Sequence, residues 1–270
     1  MKFTTFRNRK IAYSVQGKGR PIVLVHGFGE DSFVWKDYYP YFTEAGYSVL
    51  TLDLPGFGAS ELVDNLSIEA MSEVIFAVAE EANLQKFLLV GHSMGGYASL
   101  AFAKKYPERL YGLGLFHSHP YADSEEKKEG RLRSIEVVKA KGTPLFVKKF
   151  IPNLFAPKFA QSHTFLVDKL IHRAARFRDE SVIAALEAMR TRPDQSEVLR
   201  HFPLPVLFIL GQEDQAIPKD AAMEQITLTD SASILLLEEV AHMGMFEATR
   251  KTQQAIAQFA EFCINLAQTG

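Results

Sequence analysis

Three side chains, Ser93, Asp214 and His242, have the types and the chain order to carry out nucleophilic chemistry. A serine hydroxyl attacks poorly unless a neighbouring base takes its proton, and a histidine base needs a carboxylate to fix its tautomer. Ser93 stands in Gly91-His92-Ser93-Met94-Gly95-Gly96, after the apolar run 87–90 and before a helical stretch. Strand, sharp turn and helix is the context in which a serine is held exposed on a strained backbone. Gly211-Gln212-Glu213-Asp214 follows the apolar run 206–210, and Ala241-His242 follows the run 234–237. Attack on a carbonyl creates an oxyanion that needs preorganised donors. The backbone N–H of Phe28, in His26-Gly27-Phe28-Gly29, and that of Met94, at a helix N-terminus, are the expected pair.

These residues must be delivered by strands that end at one edge of a sheet. Runs 2–6 and 10–15 flank Arg7-Asn8-Arg9 as a hairpin, and short apolar runs at 21–25, 48–52, 87–90 and 206–210 have the composition of buried parallel strands. Runs 110–116 and 234–237 are weaker strand candidates. Helical patterns fill 67–83, with Ser67 as N-cap, 94–105 and 247–266. This alternation predicts an α/β fold: a doubly wound, mostly parallel sheet of about eight strands, with ligands at the carboxyl ends of the strands. From 120 to 201 the alternation stops, and helical patterns rich in charge and phenylalanine occupy 125–141, 144–151, 164–177 and 180–190. The expected organisation is a core of residues 1–119, a helical cap inserted at 120–201 and the rest of the core at 202–270. Phe28, Phe146, Phe150 and Phe155 are candidate walls of a substrate pocket, although aromatic helix faces also serve simply as packing.

Composition excludes other classes. The 270 residues are 47% hydrophobic and 23% charged with a formal net charge of −2, which offers no concentrated basic face for nucleic acid. No run reaches the length of a membrane span, and the first ten residues lack a signal-peptide apolar stretch. One cysteine, Cys263, allows no intrachain disulfide, so a cytoplasmic setting is expected, with Cys263 a buried thiol on a face shared with Phe259, Phe262 and Leu266. The partner is a small-molecule substrate, and composition does not determine an oligomeric state.

The motifs together resemble the α/β-hydrolase superfamily, within it the capped serine hydrolases of the carboxylesterase, haloperoxidase and C–C hydrolase type. The resemblance rests on His26-Gly27-Phe28-Gly29 with Ser32 and Trp35, Asp53-Leu54-Pro55-Gly56-Phe57-Gly58-Ala59-Ser60, the Ser93 motif, residues 211–218, and His242 with Glu247. It implies Ser93 as nucleophile, His242 as base, Asp214 as acid, and no metal or organic cofactor. Two positions depart from the pattern: Ala241 stands where glycine is frequent, and His117-Ser118-His119 occupies a place where some relatives carry the acid. The implied reaction is hydrolysis of a small apolar ester or thioester. C–C cleavage of a diketone and cofactor-free peracid chemistry are alternatives, as is a ligand-binding or signalling protein without turnover. A cap arginine aimed at a substrate carboxylate, among Arg131, Arg133, Arg173, Arg176, Arg178 and Arg190, would favour the C–C reaction.

Several residues invite a blander reading. His117 and His119 are expected to pack rather than bind metal, Glu213 to face solvent, and Asp53 to organise a turn. His92 belongs to the turn and, pointing away from Ser93, is not the base.

Overall fold

The computed structural model describes residues 1–217 and 219–269; Pro218, the last residue of the 211–218 motif, and Gly270 lie outside the described residues. Eight strands form one sheet: β1 (Lys2–Phe6), β2 (Arg9–Gly17), β3 (Arg20–Val25), β4 (Tyr47–Leu52), β5 (Phe87–His92), β6 (Leu110–Phe116), β7 (Val206–Gly211) and β8 (Ala232–Leu237). Their order is β1-β2-β4-β3-β5-β6-β7-β8, antiparallel at β1, β2 and β4 and parallel from β4 to β8. Arg7 and Asn8, with φ of 48° and 61°, make the hairpin turn between β1 and β2.

The strand sequences follow from their places. β5 and β7 are buried at every position because helices cover both sheet faces, which is why they read as unbroken apolar runs. β8 lies at the edge and keeps much of its surface in solvent, including Ile234 and Leu236, so its signal is weaker. Helices α1 (Tyr38–Glu44), α2 (Ile68–Glu81) and α3 (Met94–Lys105) belong to the first half of the chain. Ser67 caps α2 by accepting from the Ala70 N–H, as its sequence position predicts.

Between β6 and β7 the chain runs through α4 (Glu125–Phe150), α5 (Pro157–Ser162), α6 (Thr164–Ala174), α7 (Asp179–Thr191) and α8 (Ser196–His201) without a strand. α4 kinks at Gly142 (φ 77°), just before Pro144, so the two helical stretches expected at 125–141 and 144–151 are its two limbs. The chain closes with α9 (Lys219–Glu224), α10 (Gly244–Glu247) and α11 (Thr249–Thr269). The α2–α3 pair and the α1–α11 pair each pack together and against the sheet. Cys263 is buried, as expected, against β6, but its stripe is Ile256, Phe259, Ala260 and Cys263, whereas Phe262 and Leu266 are largely exposed. The 3.6-residue period places Phe262 one position off the stripe that faces the sheet. No helix among the described residues is long and apolar enough to cross a membrane.

The strand order matters most for the site. β3 pairs with β4 on one side and with β5 on the other, so chain progression reverses there and leaves a crevice at the carboxyl ends of β3 and β5. The His26 loop leaves β3 and the Ser93 turn leaves β5, on the two flanks of that crevice.

Candidate active site

Ser93 has φ 50° and ψ −116°, a conformation that non-glycine residues rarely adopt. It is held there by its N–H, which donates to the Phe116 carbonyl at 2.9 Å, and by its own carbonyl, which accepts from the Ser118 hydroxyl at 2.8 Å and begins α3. β6 therefore pins the turn from the side. Two glycines let the neighbouring loop come close. A side chain at Gly95 would meet the Val25 and His26 carbonyls at 2.6 and 2.5 Å, and one at Gly27 would stand 3.1 Å from the Ser93 Cβ. Among the described residues no protein group accepts from the N–H of Phe28, next to Gly27, or of Met94, next to Ser93.

His242 and Asp214 face each other at 2.8 Å, Nδ1 to Oδ2, both buried. The other carboxylate oxygen, Oδ1, accepts from the Ala216 and Ile217 N–H groups, which fixes the plane of the acid. Burial is the largest influence on His242 and opposes its charged form. The charge and hydrogen bond of Asp214, with Glu30 and Glu247 adding, outweigh it and hold the ring above the ordinary histidine value. Burial likewise opposes the Asp214 carboxylate, and the His242 and His117 rings hold it far below the usual range. The structure thus brings Asp214 and His242 into direct contact. It ties the Ser93 turn to His242 through the side chain of His92, whose Nε2 lies 2.9 Å from the His242 carbonyl oxygen. Among the described residues the Ser93 hydroxyl makes no hydrogen bond to protein.

Two residues around this pair carry more than the motifs suggest. Glu247 accepts from the N–H groups of Ala241 and Met243, on either side of His242, and from Ala156 in the helical insertion. The His242 N–H in turn donates to the Leu154 carbonyl. The histidine loop is therefore clamped between the sheet and the insertion. Its sequence signal is only a glutamate five residues after the histidine, and the Ala156 partner is 91 residues away. His117, with φ 46°, places Nδ1 3.2 Å from Asp214 Oδ2, yet neither ring nitrogen makes an aligned hydrogen bond. Burial pushes its ring down to about 4, so at neutral pH it lies beside the carboxylate uncharged.

His117, Asp214 and His242 offer donor atoms within 4.8 Å of one another, among the described residues. The Nδ1 and Oδ2 atoms of His242 and Asp214 face each other at the distance of a hydrogen bond between a histidine and the carboxylate that orients it. His119 lies apart, stacked on Tyr121 and against Tyr97. Glu213 is half-buried beside Gln212 and Gln215 at a surface groove. Asp53 takes the Ser32 and Ala59 N–H groups on its two oxygens, organising the loop it begins. Trp35 is wholly buried in the core.

Phe28, Phe146 and Phe150 form one aromatic cluster. The Phe28 ring meets those of Phe146 and Phe150 edge-on at 6.2 and 5.4 Å, and the latter two stack at 5.3 Å. Phe155 is buried in a different group, stacked on Phe159 and near Phe246. Of the candidate arginines in the insertion, Arg131 is bonded to Asp123, Arg173 to Asp31 and Arg190 to Glu187, Arg133 pairs with Glu129, and Arg176 and Arg178 are exposed.

Residues 18–249 match the family described as serine aminopeptidase, S33. Among characterised proteins, the chain is 32% identical over 246 residues to the dihydrolipoyllysine-residue acetyltransferase component of the acetoin cleaving system of Pseudomonas putida. That alignment covers 89% of this chain, which spans only 63% of the length of the relative. It is 26% identical over 262 residues to a 2-hydroxy-6-oxononadienedioate/2-hydroxy-6-oxononatrienedioate hydrolase of Paraburkholderia phymatum, covering 93% and 90% of the two chains. Among solved structures, a thermophilic esterase from Thermogutta terrifontis with malate bound superposes with a TM-score of 0.89 at 30% identity, over 94% of each chain.

Proposed function

The chain belongs to the serine aminopeptidase S33 family of α/β-hydrolases, and from that premise we propose that it cleaves a small apolar carboxylic ester or thioester through an acyl-enzyme on Ser93. The observation that carries this reading is the buried 2.8 Å pair of His242 and Asp214, tied by the His92 side chain to the turn that holds Ser93 at φ 50°. His242, with Nδ1 committed to Asp214, presents Nε2 as the base. It takes the Ser93 proton as the hydroxyl attacks the carbonyl, and the Phe28 and Met94 N–H groups receive the oxyanion. Collapse of the tetrahedral intermediate expels the alcohol or thiol, which takes the proton from His242. Water, activated by the same ring, then releases the acid and restores Ser93. The helices of 120–201 act as a cap, and the Phe28, Phe146 and Phe150 cluster supports an apolar acyl pocket, with Phe155 on the side nearer His242.

C–C cleavage is the second reading, favoured by the likeness to the Paraburkholderia hydrolase. A dicarboxylate substrate of that kind calls for a free cation at the pocket. The candidate arginines are instead paired with carboxylates or exposed, which supports the ester reading. A panel of p-nitrophenyl esters of graded acyl length, acyl thioesters, a vinylogous diketone acid and an aminoacyl p-nitroanilide tests the choice. Turnover confined to esters and thioesters is expected; faster turnover of the diketone would reverse it. Labelling of Ser93 by a fluorophosphonate separates an enzyme from a non-catalytic binder.

A further inference from the structure

Behind the Ser93 turn lies a second buried polar cluster that acyl transfer does not use. Glu30, two residues past Phe28, accepts the Gly27 N–H on Oε2 at 2.8 Å, and the same oxygen lies 3.0 Å from His92 Nδ1. The opposite ring nitrogen of His92, Nε2, lies 2.9 Å from the His242 carbonyl oxygen. The two side chains are 3% and 1% exposed, so solvent does not complete these bonds.

A donor count constrains the ring. A carboxylate oxygen and a backbone carbonyl both accept and never donate, and a neutral imidazole owns one N–H. With Glu30 ionised, the direction in which its surroundings hold it, His92 meets both partners only when each ring nitrogen carries a proton. A neutral ring would press a lone pair against an acceptor in a site without water, at a cost comparable to a lost buried hydrogen bond. The surroundings are compatible with a paired charge. Burial disfavours the Glu30 carboxylate, but His92, the Gly27 N–H and, more distantly, His26 together hold it below its ordinary value. The other titratable rings facing His92 are His242, 4.9 Å away between centroids, and His117 at 6.2 Å, the latter uncharged at neutral pH.

We propose that Glu30 and His92 form a buried strut, with His92 donating from both ring nitrogens, that locks the oxyanion loop and the His242 backbone to the nucleophile turn as one piece. Both are positioning residues. Gly27 immediately precedes Phe28, so the bond to Glu30 sets where the Phe28 N–H points, and the bond to the His242 carbonyl sets the height of the base above Ser93. A shift of about 1 Å in such groups costs on the order of 100-fold in rate. The inference rests on the acyl-enzyme reading.

Glu30→Gln, His92→Asn and His92→Gln test it in the full chain. The asparagine amide can keep only the bond toward Glu30, and the glutamine amide only the one toward His242. In each variant kcat on a p-nitrophenyl ester is expected to fall roughly 10- to 100-fold with KM changed less than about threefold. The affinity for a trifluoromethyl ketone, which forms a tetrahedral adduct, should fall in step with kcat/KM. Independently of activity, NMR of ¹⁵N-histidine-labelled unmodified protein at neutral pH should show two ring N–H signals for His92, assigned by their disappearance in a His92 variant. Folded Glu30→Gln and His92→Gln enzymes with kcat within about twofold of normal, or a single His92 ring N–H, would overturn the strut. The NMR count decides even if a variant does not fold. An active Ser93→Ala enzyme would instead remove the acyl-enzyme reading, and the NMR count would still test the strut.

Discussion

The sheet edge and the helical insertion meet at His242, and they are held by different forces. At the sheet edge nearly every contact is a directional bond between buried polar groups: Asp214 with His242, Glu30 with His92, and Asp53 and Glu247 with backbone N–H groups. The insertion over it presents stacked phenylalanines, and most of its ion pairs are at the surface. Directional bonds fix atoms to within the fraction of an ångström that proton transfer needs. Dispersion contacts tolerate rearrangement, which fits the acyl-pocket role proposed for the insertion. The difference implies that damage to the edge is read in kcat and damage to the insertion in KM and selectivity.

Ser93→Ala is the severest break. We expect a loss on the order of a millionfold in kcat with the fold intact, because removing the nucleophile removes the whole triad mechanism. Ester hydrolysis and circular dichroism on the same sample check it. Asp214→Asn follows, at about 10⁴-fold, since the amide supports the wrong tautomer of His242. Glu213→Gln should leave kcat/KM unchanged, and the reverse pattern would mean the wrong carboxylate has been named.

Glu247 sharpens the comparison because it belongs to both regions. If His242 acts as a neutral base, kcat/KM rises with pH as the ring loses its proton. The ring is held above 6.5, so the half-rise is expected above that value. Glu247→Gln removes a negative charge that favours imidazolium and should move the half-rise to lower pH, with kcat reduced by about tenfold as the clamp loosens. A pH profile of kcat/KM reads the first effect and saturation kinetics the second.

Within the insertion the expected changes are of another kind. Phe146→Ala should cost about 3–5 kcal/mol of stability at most and shift preference toward longer acyl chains, with kcat on the best ester nearly kept. Denaturant unfolding and the ester panel report the two. Arg173→Met, which leaves the buried Asp31 carboxylate without its partly exposed partner, should cost about 1–3 kcal/mol. A kcat loss from Phe146→Ala as large as that from Asp214→Asn would abolish the distinction between the regions.

The legible part of this molecule is local. β3, β5 and β7 are short apolar runs bounded by turn residues, and each is followed within a few residues by a motif whose composition serves one purpose. β8 was weak because an edge strand is exposed, and α5, α8 and α10 are too short to show a helical period. Phe155 could not be separated from Phe146 and Phe150, since the same residue type on neighbouring helical segments carries no record of which ring it stacks on.

By itself the sequence determined the α/β order of strands and helices, the serine turn, and the places of Asp214 and His242 just after apolar runs, because each of these is read from residues within a few positions of one another. Tertiary structure decided the rest: that His117 lies against Asp214, that Glu30 reaches His92 across 62 positions, and that Glu247 ties Ala156 to the histidine loop. Those contacts follow from the strand order β4-β3-β5-β6-β7, which brings the ends of distant strands side by side. The pairing of strands depends on the summed burial of the whole sheet and not on any one segment.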